Sequence, residues 1–179
     1  MDIIISNSRP HSTENFCLEL VKVLEQRGII THTLTISTAT SNRHENPKHS
    51  FRVRGPLGTD RAAYGLDSLD KALVVFLLPK DNIHYTGIHR RVDLIIAPWR
   101  AWGTAIVGWT GGTTFERDMR LWAKKKKCLK FDSGGITDRA TGQSVQLVPA
   151  EGMGAVEAEK LVFQRLGLEY IPPTLRNTG

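Results

Sequence analysis

The apolar residues of this chain follow two periods that alternate along its length. Ile3-Ile4-Ile5 is a short β-branched run and predicts a buried strand over residues 2–6. A loop punctuated by Pro10 follows. From Thr13 to Arg27 the spacing turns helical, with Phe16, Leu20, Val23 and Leu24 on one face. Ser12 or Thr13 caps that helix and Gly28 stops it. Ile29 to Ser37 alternates residue by residue, the mark of a half-buried strand. Thr38 to Leu69 holds few apolar side chains, and a connection longer than ~15 residues without structure of its own is usually functional or disordered.

The pattern resumes at Leu69. Leu69–Leu78 and Arg90–Ala97 read as strands around the loop Pro79–His89. Pro98–Val107 fits a helix with Pro98 near its first turn, and Gly108–Gly112 breaks it. Thr113–Lys127 is the next helix, with Phe115, Met119 and Trp122 as its buried stripe. Leu129–Phe131 and Ser144–Val148 look like short strands around a turn-rich loop containing Gly134-Gly135 and Thr141-Gly142. Val156–Leu166 is a last helix, ended by Gly167. These elements predict an α+β fold: a mixed β-sheet with helices, then a smaller α+β unit from about Thr110 onward.

Bulk composition narrows the class. A chain of 179 residues with 40% hydrophobic content suits one domain, or a domain with a small satellite. The 24 Lys+Arg against 18 Asp+Glu leave +6, a basic excess consistent with a polyanionic partner such as nucleic acid. Cys17 and Cys128 have no metal-ligand spacing and fit reduced thiols in a cytosolic or nuclear protein. No apolar run approaches the ~20 residues a membrane span needs. The stretch Met1 to Ser6 is too short and acidic for a signal peptide. The chain starts inside a predicted strand, so the expectation is a fragment or a reading frame that begins at an internal methionine.

Candidate chemistry centres on the strand Arg90–Ala97. Asp93 shares a strand face with Ile95 and Ala97, while Val92 and Leu94 point the other way. A carboxylate among aliphatic neighbours is costly unless it is paired or binds metal. The strand alone favours a salt bridge to Arg90, Arg91 or another arginine. Asp2 also begins an aliphatic strand. If the two strands are neighbours, two carboxylates converge on one surface and become oxygen ligands for a hard cation such as Mg²⁺. Two strand-borne aspartates alone are a weak signal.

Two further features bear on function. Thr113, Glu116, Arg120, Lys124 and Lys127 follow helical spacing, and Lys124–Lys127 with Lys130 extend the positive charge. One reading is a solvated face with a Glu116–Arg120 pair worth ~0.3–0.5 kcal/mol. The other is a helix that meets a phosphate backbone. The lysine run leaves these readings even. Gly108 permits close approach to the backbone and Trp109 offers a stacking face, although a packed tryptophan beside a helix-ending glycine is the commoner arrangement. No phosphate-binding loop, metalloprotease histidine spacing or Gly-x-Ser-x-Gly elbow occurs.

Taken together, Arg90-Arg91-Val92-Asp93-Leu94-Ile95-Ile96-Ala97-Pro98, Gly108-Trp109-Thr110-Gly111 and Phe115-Glu116-Arg117-Asp118-Met119-Arg120 resemble the family X DNA polymerases. The ending Leu166-Gly167-Leu168-Glu169-Tyr170-Ile171-Pro172-Pro173, with Arg176-Asn177, is similar to that family's ending. The Gly-Trp turn is similar to the mu, terminal-transferase and fungal type IV branch. The resemblance covers nearly the whole chain apart from Thr38–Leu69, where that branch carries a loop that helps hold broken or unpaired primer ends.

The resemblance implies an N-terminally truncated nucleotidyltransferase palm over residues 1–109 and a thumb over 110–179. It implies two-metal transfer of a nucleotide from a dNTP to a primer 3′-hydroxyl, with Mg²⁺ or Mn²⁺ as cofactor. Asp2 and Asp93 match two of the family's three metal-binding aspartates, and the first would stand one residue before Met1. Arg91 would orient the carboxylates. Gly108, Trp109, Thr110, Gly111 and Glu116 would line the nucleotide site. Gly108 replaces a tyrosine that crowds the ribose 2′ position in other branches. Glu116 stands where relatives carry Asn or Gln facing the nascent base pair, although a carboxylate only accepts hydrogen bonds. Arg117, Arg120, Lys124 and Lys127 would contact DNA, with Arg120 reaching the template strand. The partners implied are gapped or broken primer–template DNA and dNTP, with no membrane, in the nucleus. With one shared metal ligand outside the chain, the 179 residues alone are expected to polymerise weakly or not at all. The alternatives are a non-catalytic DNA-binding fragment that keeps the basic thumb helix and, more distantly, a small nucleotidyltransferase with another acceptor.

Overall fold

The computed structural model describes residues 1–8, 15–38 and 69–177. Residues 39–68 of the expected long loop, and both candidate caps Ser12 and Thr13, lie outside the described residues. The architecture is α+β. A four-stranded mixed sheet has the order β1-β4-β3-β2, with β1 at Asp2–Ile5, β2 at Ile30–Ser37, β3 at Asp70–Phe76 and β4 at Arg90–Ile96. β1 runs parallel to β4, and the β4–β3 and β3–β2 pairs are antiparallel.

One face of this sheet carries Ala72, Val74, Val92, Leu94 and Ile96, and α1 (Phe16–Gln26) packs on it through Cys17 and Val21. Burying each of the Val, Leu and Ile side chains among these stabilises the fold by roughly 1.5–3 kcal/mol. The helix is rotated from its expected face. Val23 is exposed, while Phe16, Leu20 and Leu24 flank the buried pair. Its start also differs, because Asn15 adopts φ 58° ahead of Phe16.

Cys17 is fully buried, and that burial, with the Asp70 charge, pushes its thiol up to about 11 from an ordinary 9.0. Because the raised value belongs to the folded state, the thiol's contribution is fully present below pH 9 and is lost as pH rises towards 11. Cys128 is exposed. A chromogenic thiol reagent at neutral pH should therefore titrate one cysteine in the native chain and both after denaturation. Fast reaction of both in the native protein would show that α1 does not seal the sheet.

The other sheet face carries Ile95 and Ala97, covered by Leu69, Ala101, Ala105 and the partly buried Trp109. A turn of 3₁₀ helix at Trp99–Ala101 leads into α2 (Trp102–Trp109). The predicted break at Gly108 is not there: α2 runs through Gly108 and Trp109, and the chain turns only at Thr110, before Gly111 at φ 104°. Gly108 is tolerated because it packs against a neighbour, as its position beside Ser133 shows. A Cβ there would lie 3.0 Å from the Ser133 Cβ and 3.1 Å from its Cα.

The second unit has a three-stranded antiparallel sheet, β5 (Leu129–Asp132), β6 (Gly135–Asp138) and β7 (Ser144–Val145). β6 is a strand where a turn was expected. Its single buried apolar residue, Ile136, is too weak a pattern alone, and its pairing with Phe131 and Val145 makes it a strand. α3 (Thr113–Lys127) and α4 (Ala155–Leu166) enclose a core of Phe115, Met119, Ala123, Leu129, Phe131 and Phe163 among others. Ala123, not Trp122, completes the α3 stripe. Trp122 is partly exposed and donates its indole N–H to the Leu166 carbonyl at 3.0 Å. α2 joins the two units, with Ala105 in the sheet-side core and Val107 in the second core. Its Gly103 lies so close to α4 that a Cβ would stand 2.3 Å from the Ala158 carbonyl oxygen.

Candidate active site

Asp2 and Asp93 are register partners on the parallel neighbours β1 and β4. Side chains of paired residues project from the same face, on strands about 4.8 Å apart. Ile4 and Ile95 are the next pair on that face, and Leu73 and Lys71 on β3 stand opposite Asp93 and Ile95. The topology therefore gathers two carboxylates and one lysine on the face away from α1.

The Asp93 side chain is 15% exposed and that of Asp2 47%. Arg91 Nε lies 3.2 Å from Asp93 Oδ1, so the salt bridge that the strand alone favoured is present. It is a charge contact without hydrogen-bond alignment, because that Oδ1 is buried and has no hydrogen-bond partner among the described residues. A buried carboxylate oxygen with open lone pairs, beside a second carboxylate, fits a hard divalent cation. Among the described residues no group of three or more His, Cys, Asp or Glu is placed to hold a metal, so the donor set here is the two aspartates.

Trp109 ends α2 on the same sheet face. The Lys71 ammonium lies 5.9 Å from the centre of its ring, a cation–π contact. Its indole N–H is buried without a hydrogen-bond partner among the described residues. Lys71 was not singled out from the sequence. The available signal was a second charge, after Asp70, at the start of a strand whose remaining residues are apolar.

Thr110 and Gly111 are engaged elsewhere. The Thr110 hydroxyl donates to the Ile106 carbonyl at 2.6 Å and accepts from Arg176 Nη1 at 2.6 Å. A Cβ on Gly111 would lie 2.6 Å from the Arg176 Cβ, so that position is closed to side chains. Arg176 itself is fully buried. It donates Nε to the Ile171 carbonyl at 2.9 Å, pairs through Nη2 with the buried Glu159, and sits over the Phe115, Phe163 and Tyr170 rings. This latch ties the C-terminal segment to the Thr110–Gly112 turn, where the Gly112 amide donates to the Arg176 carbonyl at 3.0 Å. Its sequence signal was a lone Arg after Pro172-Pro173, which composition cannot distinguish from a surface charge.

The basic helix divides its residues. Thr114, Arg117, Asp118, Arg120, Leu121 and Lys124 line an open groove of about 480 Å³ along α3. Glu116 binds Arg120, with Nη2 3.0 Å from Oε2. Burial pushes the Glu116 carboxyl up, against the opposing charge and hydrogen bond of Arg120. Lys127 stands apart from the groove lining. Its amine lies over Gly167, where a Cβ would be 2.6 Å away, at the C-terminal end of α4. A cation there complements the helix dipole.

Comparison with known proteins bears on the same segments. The family model described as DNA polymerase beta thumb matches residues 105–177. The chain is 43% identical over 95 residues to the DNA polymerase type-X family protein pol4 of Schizosaccharomyces pombe, covering 51% of this chain and 18% of that protein. It is 26% identical over 189 residues to the DNA nucleotidylexotransferase of Xenopus laevis, covering 99% of this chain and 33% of that one. It is 31% identical over 121 residues to the human DNA-directed DNA/RNA polymerase mu, covering 63% and 23%. The chain thus spans from 18% to 33% of the length of these relatives. With the thumb model on residues 105–177 and X-family DNA polymerases among the relatives along its length, the chain is similar to the X family of DNA polymerases over these segments.

Proposed function

We propose that this chain forms palm (1–109) and thumb (110–179) parts of a nuclear DNA-directed DNA polymerase. The reaction is transfer of a nucleotide from dNTP to a primer 3′-hydroxyl, in repair synthesis such as gap filling or end joining. The observation that carries this reading is the register pairing of Asp2 with Asp93 on the sheet face that also holds Trp109. Asp2 and Asp93 would hold Mg²⁺ or Mn²⁺, which when bound acidifies the 3′-hydroxyl and neutralises the triphosphate.

The chain's own residues supply positioning. Arg91 keeps the Asp93 carboxylate oriented through a contact that leaves its Oδ1 lone pairs open. Trp109 gives a flat apolar surface for a sugar or base, and Lys71 over it adds positive charge for a phosphate. Arg117, Arg120 and Lys124 line a groove that suits a phosphate backbone. Gly108 is packed against Ser133 and lacks a side chain that could crowd a ribose. Lys127 serves α4 rather than this groove in the present structure.

A second reading has a specific observation in its favour. Among the described residues the sheet face holds two carboxylates, fewer than a two-cation site uses, while α3 keeps its cations, which favours DNA binding with slow turnover by this chain alone. The test uses the purified 179-residue chain with a short-gap primer–template. Salt-dependent binding is expected, with a slope of roughly −2 from Arg117 and Lys124 at about −0.9 each, Arg120 being paired with Glu116. Incorporation with Mg²⁺ or Mn²⁺ should be slow or absent. Extension at the rate of a full-length relative would overturn the weak-turnover reading, and failure to bind DNA at low salt would overturn the DNA-binding one.

A further inference from the structure

We infer that Glu116 holds Arg120 in reserve, so that the ion pair must open before Arg120 can grip a nucleic-acid phosphate. Glu116 would then set how strongly the thumb helix holds DNA. The inference rests on the DNA-binding reading above.

Arg120 carries one ion pair and one buried donor that is unmade. Its side chain is 36% exposed and that of its partner Glu116 20%, so the pair sits at the boundary between solvent and interior. Glu116 takes only one end of the guanidinium, at Nη2. Arg120 Nε is buried and has no hydrogen-bond partner among the described residues. A guanidinium presents Nε and Nη as a fork that matches two phosphate oxygens. Exchanging Glu116 for a phosphate would therefore satisfy a donor that the present arrangement leaves unmade. Arg117 and Lys124 line the same groove and would bring a phosphate backbone within reach.

The opposing term is also on α3. Releasing Arg120 leaves a partly buried carboxylate on Glu116 without its cation, which disfavours the open state. Asp118 adds a second negative charge at the groove. The balance makes the grip conditional: weak until a strand is seated well enough to displace the carboxylate. A chain with a neutral residue at 116 would offer Arg120 to any nearby phosphate.

The test compares the full chain with Glu116→Gln, Asp118→Asn, Arg120→Gln and the Glu116→Gln/Arg120→Gln pair. Fluorescence anisotropy with a labelled overhanging duplex is read across a salt series, and circular dichroism confirms that each variant folds. Glu116→Gln should bind about two- to fivefold more tightly, the size expected from removing a competing ion pair of this exposure. Its salt slope should steepen by about 0.9, one additional phosphate contact. Asp118→Asn should gain affinity less and keep the wild-type slope, and Glu116→Gln should gain nothing once Arg120 is gone. Unchanged or weaker binding by Glu116→Gln, with wild type binding normally, overturns the inference and leaves the DNA-binding reading standing. A gain that survives loss of Arg120, or that Asp118→Asn reproduces in full, overturns it as well, because charge removal alone would explain the effect. No DNA binding by any variant, wild type included, overturns both.

Discussion

Arg176→Met should destabilise the chain by about 3–5 kcal/mol, the cost of breaking a buried ion pair by removing one partner. Arg176 is 0% exposed and Glu159 3%, so the remaining carboxylate would be a buried charge without a cation. The loss spreads through the turn. Thr110 loses a donor to its hydroxyl, the Ile171 carbonyl loses the Nε hydrogen bond, and three aromatic rings lose their cation. At ~2–4 °C per kcal/mol for a chain of this size, the thermal midpoint should fall by roughly 6–20 °C. Urea unfolding followed by tryptophan fluorescence measures the loss. The double variant Arg176→Met/Glu159→Met removes both charges and should recover much of it, since well-packed apolar replacements of buried pairs are often neutral or stabilising. A single variant that loses less than about 1 kcal/mol would mean that aromatic packing, and not this pair, closes the C-terminal segment.

Asp93→Asn should remove divalent-cation binding while leaving the fold intact. The substitution keeps the side-chain shape but takes away one of the two proposed anionic ligands, so affinity for Mn²⁺ should fall by at least ~100-fold, above the range seen for residues that only support a ligand. Any metal-dependent incorporation by the chain should fall with it. Stability should stay within about 0.5 kcal/mol of wild type. The substitution ends the like-charge opposition between register partners Asp2 and Asp93, and it also ends the Arg91 contact at 3.2 Å, so the two changes offset. Calorimetric titration with Mn²⁺ reads the binding without requiring turnover. Undiminished Mn²⁺ affinity in the Asn variant would show that this sheet face is not the cation site.

Much of the fold was legible because its strands and helices carry strong periods. β4 is an aliphatic run with one carboxylate, and α3 has apolar residues at Phe115, Met119 and Ala123, each four apart. β6 was not legible, because one buried isoleucine becomes a strand only when Phe131 and Val145 stand beside it. The rotation of α1 onto Cys17 and Val21 was missed for a similar reason. Phe16, Leu20, Val21, Val23 and Leu24 are all apolar, and only the shape of the sheet decides which of them is buried.

For the site, the residue types and the local pairs Arg91–Asp93 and Glu116–Arg120 were legible in the sequence, and the long-range partnerships were not. Asp2 and Asp93 are separated by a long stretch of chain, and whether two aspartates meet depends on which strand lies beside which. Their convergence follows from the parallel β1–β4 pairing. The same holds for Lys71 over Trp109, and for Lys127, which shares helical spacing with Arg120 but lies over the end of α4.

The sequence by itself determined the α+β class, the carboxylate strand, the basic helix and the family resemblance, because each is written in local period or contiguous motif. Only the tertiary structure decided that Gly108 packs against Ser133 and that Thr110 and Gly111 close around Arg176. Those are contacts made by side-chain direction and by elements brought together from distant parts of the chain. Spacing along one segment cannot report them, since the energy of a buried guanidinium or carboxylate depends on the partner that folding places beside it.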